Sequence, residues 1–237
     1  MRHPLLCALG LLMASTTVHA ALEARDLNGT PATAEAYYDT VLGITWLADA
    51  NYFQTSGADP DGLADYVTLR TWAENLVLGP GGIYQSWRLP QALPSNGRGW
   101  NYDYISYDGV SSDMGYNHSA STNELGYMFY VNLGNAGARS TSGAVTSCDP
   151  NRCLTNTGPF VNLMPDQYYM QQLSWLVPYF RLYDGGYFPH PNGGTEMRGW
   201  VVHDGDIGVA VVVPEPGTWA LMLAGVAALS SVARRRR

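Results

Sequence analysis

The chain of 237 residues contains no lysine, since all 13 of its basic residues are Arg. Charged residues of any kind make up only 14% against 46% hydrophobic, which excludes extended disorder and coiled coil, and the glycines follow no period, which excludes collagen. Cysteine is scarce at three and phenylalanine at five, while 16 Tyr and 7 Trp carry the aromatic content. Most enzyme signatures are missing too. There is no His-Glu-x-x-His, no Gly-x-Ser-x-Gly and no phosphate loop, and the chain outside its first 20 residues has only His118, His190 and His203. No catalytic residue is assigned, although with this many acids a pair of carboxylates close enough for glycoside hydrolysis stays open.

What is present begins at the two ends. Arg2, an apolar run from Leu5 to Met13 and the small-residue site Val18-His19-Ala20 predict a secretory signal peptide over residues 1–20, cut between Ala20 and Ala21 by signal peptidase. At the other end, Pro214, Glu215 and Pro216 precede an uncharged stretch, residues 217–233, and the cluster Arg234 to Arg237. That stretch is just long enough for a transmembrane helix, and the arginines would keep its end in the cytoplasm. The tripartite segment 213–237 resembles the PEP-CTERM sorting signal. The resemblance implies processing by an exosortase in a Gram-negative bacterium that makes extracellular polysaccharide.

Between these ends, residues 21–212 read as one globular domain. Counted from Ala21 to Val213, it holds eight Arg against nineteen acids, a charge of −11. Such a surface repels nucleic acid and sulfated polyanions, and favours neutral sugars, divalent cations or basic partners. Cys7 leaves with the signal peptide, so Cys148 and Cys153 form an even pair in an exported chain and are expected to be joined as a disulfide. Closing so short a loop contributes about 2 kcal/mol, enough to pin the loop but not to hold the fold.

Strand patterns cover Leu22 to Leu27, Tyr37 to Asp39 and Val41 to Leu47. Leu63, Tyr66, Val67, Arg70, Ala73 and Val77 recur at helical spacing, with Asp61 as the expected cap and Gly79-Pro80 as the stop. A second helix follows the capping-box pattern Ser121-Thr122-Asn123-Glu124, with Leu125, Met128, Phe129 and Leu133 on one face and Gly134 behind them. Asp204-Gly205-Asp206 between two β-branched runs predicts a hairpin. Trp87-Arg88-Leu89-Pro90 places Arg88 in an extended segment where its guanidinium cements the structure, and Trp46, Trp72 and Trp200 are assigned to the core.

Three stretches read as long loops: Pro94 to Ala120, Asn135 to Gly158 and Asp184 to Thr195. In the first, Trp100, Tyr102, Asp103, Tyr104 and Tyr107 place rings beside a carboxylate. Pyranose C–H faces stack on rings while carboxylates and amides take the hydroxyls, so these five are the candidate carbohydrate-binding residues; the competing reading is that the rings anchor the loop. No metal ligands are assigned and no cofactor is expected, with calcium as the open alternative at Asp59, Asp61 and Asp65, which also suit helix capping.

Tyr38-Asp39, Val41 to Asn51, Trp72-Ala73, Trp87 to Pro90, Glu124 to Phe129 and Trp200 to Gly208 resemble, in this order, the Lcl C-terminal domain family. The resemblance implies an extracellular domain allied with the C-type-lectin-like and formylglycine-generating-enzyme folds and, in the family's namesake adhesin, glycosaminoglycan binding; here the charge of −11 argues against a basic groove for sulfated chains, and neutral carbohydrate is the favoured ligand. The expected fold class is therefore α+β, a compact single domain with two amphipathic helices, short antiparallel strands and long ordered loops. The expected role is a non-enzymatic carbohydrate-binding or scaffolding module, held first at the inner membrane and then displayed at the cell surface or in the exopolysaccharide matrix. A structural surface protein acting through protein contacts, or a polysaccharide hydrolase, are the alternatives.

Overall fold

A computed structural model describes residues 22–30, 32–148, 152–190 and 193–210. Ala20, Ala21, Pro214, Glu215, Pro216, the span 217–233 and the arginine cluster lie outside the described residues. No helix among the described residues is long and apolar enough to cross a membrane.

The first three strands, β1 (Leu22–Asp26), β2 (Ala36–Asp39) and β3 (Ile44–Leu47), form an antiparallel meander in which Arg25 faces Ala36 and Ala36 faces Leu47. Asp39, fully buried, builds the second turn by accepting the Val41 and Leu42 amides at 2.9 Å each. Gly43, at φ +67°, completes it. Two short helices follow: α1, a single turn (Tyr52–Thr55), and α2 (Tyr66–Asn75). The expected helix from Leu63 starts three residues late, because its cap is Asp65 and not Asp61. Asp65 accepts the Thr68 amide at 2.8 Å, while Asp61 accepts Leu63 N–H and Ala64 bridges Met197, holding the preceding residues extended. Tyr66 and Ala73 point into the core as the spacing predicts, but the third buried position is Leu69, and Val67 and Val77, expected on the same face, are exposed.

β4 (Trp87–Arg88) comes next, then α3 (Glu124–Tyr127), which runs into one π-helical turn at Met128–Asn132. Asn123 caps α3 by accepting the Gly126 amide at 2.8 Å, and Leu125, Met128, Phe129 and Leu133 are all buried as the spacing predicts. Glu124 does not close a capping box. The buried Arg88 guanidinium takes it instead, through two parallel bonds of 2.8 Å. Three strands, β5 (Gln167–Tyr169), β6 (Val177–Arg181) and β7 (Gly186–His190), form a separate antiparallel sheet. Part of the expected Asp184 to Thr195 loop is thus strand.

The last strands, β8 (Val202–Asp204) and β9 (Val209–Ala210), correct the predicted hairpin. The larger sheet has the order β4-β8-β3-β2-β1-β9, so three strands separate them. Side chains on one face of the meander draw the Asp-Gly turn across it. Thr45 donates its hydroxyl to Gly205 O at 2.7 Å, and Arg25 grips Asp206 at 2.6 and 2.9 Å.

Two core clusters result. One centres on Trp46 and Trp200, with ring centroids 4.5 Å apart and the Trp200 indole N–H donating to Leu47 O at 2.8 Å. The other gathers Phe53, Leu69, Trp87 and Tyr169 against α2. Trp72 is only half-buried, edge-on to Phe53 at the rim of that cluster. The architecture is few helices and mostly antiparallel sheet.

Candidate functional site

The loop of residues 94–120 is shaped by its own carboxylates. Asp113, almost fully buried, accepts the amides of Ser95 at 2.6 Å and Asn101 at 2.7 Å. Asp108 accepts the Val110 and Ser111 amides and the Ser111 hydroxyl, and that hydroxyl, followed by the amides, pulls its pKa down to about 2. The loop folds back on itself where Ser106 bridges Gly115, and Gly115 in turn bridges Tyr187 of β7. Only glycine fits there. Its φ is +135°, and a Cβ would lie 1.9 Å from Ser106 O.

These bridges align three chain segments side by side, and the residue after each bridged position is aromatic. Tyr107 and Tyr116 stack with centroids 6.1 Å apart, and Tyr116 meets Phe188 edge-on at 6.1 Å. Phe188 then faces its register partner Tyr179 at 6.2 Å. Four rings thus step across the edge of the loop onto the outer face of the smaller sheet. Arg181 sits against them, its guanidinium carbon 4.0 Å from the Phe188 centroid and 5.8 Å from that of Tyr116. It donates to the Tyr116 hydroxyl at 2.9 Å and pairs with Asp184 at 2.6 Å. Burial raises the Asp184 pKa against the opposing pull of Arg181, and burial likewise raises that of Tyr116. The result is a partly exposed aromatic series with fixed polar groups at its centre, the combination that holds a sugar ring by its C–H face and its hydroxyls.

The five residues marked by sequence do not form one site. Trp100 and Tyr102 stack on each other at 5.5 Å and 11°, and the Tyr102 hydroxyl meets Ser174 Oγ at 3.4 Å. Tyr107 belongs to the four-ring series. Tyr104 is half exposed, with its hydroxyl given to Ser111 O at 2.8 Å, and Asp103 is exposed with its amide on Asn101 Oδ1. Sequence reasoning missed Tyr179, Arg181, Asp184 and Phe188. The period-2 alternation of Tyr179 with Arg181 was the available signal, masked by Pro178 and Pro189, which argue against strand and here face each other across β6 and β7. It also missed Trp175, 76% exposed beside Ser174.

The calcium alternative meets carboxylates already engaged. Asp59 accepts the Asp61 and Gly62 amides, Asp61 that of Leu63 and Asp65 that of Thr68. Among the described residues no three His, Cys, Asp or Glu side chains are grouped to hold a metal ion. Cys148 and Cys153 form the expected disulfide. Two adjoining hollows of about 210 and 320 Å³ share Glu35, Leu47 and Tyr52. Their carboxylates are likewise committed, Glu35 to Leu27 N–H and the Asn28 amide, Asp49 to Asn51 N–H, Thr55 and Asn162.

Residues 212–237 match the PEP-CTERM protein-sorting motif. No curated protein and no solved structure matches the chain. The motif marks an exosortase-targeted protein, exported and sorted to the surface of a Gram-negative bacterium.

Proposed function

We propose that the domain is a non-enzymatic carbohydrate-binding module of the cell surface or exopolysaccharide matrix, taking neutral glycans on the Tyr107, Tyr116, Phe188 and Tyr179 series. The observation that carries this reading is the series itself: four rings in steps of 6.1, 6.1 and 6.2 Å around one Arg–Asp pair. The charge of −11 turns away anionic polymers, and the resemblance to the Lcl C-terminal domain family supports an extracellular binding role. The surface-sorting motif supplies the setting. Signal peptidase removes residues 1–20, the 217–233 helix anchors an intermediate in the inner membrane, and exosortase releases it from there.

A neutral-glycan array and pull-down of the host's exopolysaccharide test the reading. Phe188→Ala and Tyr107→Ala each remove a stacking face worth about 1 kcal/mol, a roughly fivefold loss of affinity. Saturable binding that these exchanges leave unchanged refutes the assignment to this surface, and no binding to any glycan refutes the function.

A further inference from the structure

Two groups of rings emerge from the one loop, and the second is not used by the site just described. Trp100 and Tyr102 lie nearly parallel, and the contact of Tyr102 with Ser174 sets the exposed Trp175 in the next position of the neighbouring turn. Tyr102 and Tyr107 are five positions apart, so their Cα atoms are at most about 17 Å apart.

The connection between the groups is stiff. Asp113 ties Ser95 to Asn101 on the Trp100 side, and Ser112 donates to Asn101 O at 3.0 Å and Tyr104 O at 2.6 Å. Ser106 N–H donates to Met114 O at 2.8 Å on the Tyr107 side. Asn117 closes the far end, its amide group donating to Tyr107 O at 2.8 Å and Arg139 O at 3.0 Å. The Tyr102 and Tyr104 hydroxyls are already engaged within the protein, so the Trp100 group offers ring faces and few directional contacts. A station of that kind adds affinity for a chain already held elsewhere and little for a free sugar.

Resting on the carbohydrate reading above, we propose that Trp100, Tyr102 and Trp175 form a second station, occupied by the same glycan chain that lies on the Tyr107 to Tyr179 series. The ligand is then an extended neutral polymer, bound along its length, and not a monosaccharide or a chain end. Because the stations are held rigidly within reach of each other, engagement of the second is intramolecular and its contribution multiplies the first.

The test uses full-length protein in mild detergent and the neutral fraction of the host's exopolysaccharide, both intact and as the trisaccharide pool from partial acid hydrolysis. The expected result is intact polymer bound at least about tenfold more tightly than trisaccharide. Trp100→Ala removes that advantage and leaves trisaccharide affinity unchanged. Trp175→Ala, at a position too exposed to affect folding, acts in the same direction. Equal affinity for polymer and trisaccharide overturns the second station while leaving the first intact, as does a variant that weakens both ligands alike. Absence of binding to either ligand overturns the carbohydrate reading itself.

Discussion

Acidification from pH 6.5 to 4 is expected to destabilise the protein through one side chain, His118. Its imidazole is 2% exposed, edge-on to the Tyr187 ring at 5.1 Å, and its Nε2 has no hydrogen-bond partner among the described residues. Burial lowers its pKa from 6.5 to about 4, against the opposing pull of Asp113 and then Asp108. The folded state therefore keeps His118 neutral where the unfolded chain takes up a proton. Its contribution is complete above pH 6.5, fades as the pH falls toward 4 and is gone below that. A displacement of this size corresponds to about 3 kcal/mol, a large share of the stability of an ordinary domain. Urea denaturation of wild type and His118→Gln at intervals from pH 7.5 to 4 isolates it, since the carboxylates titrate in both proteins. The wild type should lose about 3 kcal/mol relative to the variant across that window. Parallel stability profiles refute the reasoning, because they place a freely hydrated imidazole at position 118.

Two further predictions concern the frame. Arg88 and Glu124 form a bidentate pair with side chains 13% and 6% exposed, so Glu124→Ala leaves the inner side of the guanidinium and the Gln91 amide without their acceptor while Asp204 still holds the outer side, and should cost about 3 kcal/mol. Asp204→Ala at the exposed end of the same guanidinium should cost less than about 1 kcal/mol, and equal losses in urea melts would contradict the structure. Exchanging Cys148 and Cys153 together for Ser should lower stability by about 2 kcal/mol and leave glycan binding unchanged, as read by melting and pull-down.

Local signals were legible in the sequence wherever neighbours in the chain decide the outcome. The three strand segments of the meander, the buried face of residues 124–133, the structural role of Arg88 and the disulfide all follow from spacing, turn residues or composition. The failures share one cause, which is competition from distant partners. Asp-Gly at positions 204–205 is a hairpin turn by propensity, but Thr45 and Arg25, more than 150 positions away, hold it across the meander. Glu124 leaves its capping box for a buried guanidinium 36 positions earlier. The aromatic series was half visible: Tyr107 and Tyr116 stand in one loop, but Phe188 and Tyr179 join them only through the Gly115 bridge, whose register no local pattern encodes.

The position of β8 bears on how the chain crosses the membrane. This strand, among the last of the described residues, lies inside the larger sheet, between β3 and β4, and the Trp200 just before it bonds to Leu47 across 153 positions. A chain exported from its N-terminus delivers the first meander early, yet that meander lacks a neighbour on its β3 side and Trp46 lacks its ring partner until residues 200–204 have followed. Closing so long a loop is slow and yields nothing until its last strand arrives. The larger sheet therefore cannot be completed until residues 200–204 have been delivered, only a few positions ahead of the sorting motif at 212–237.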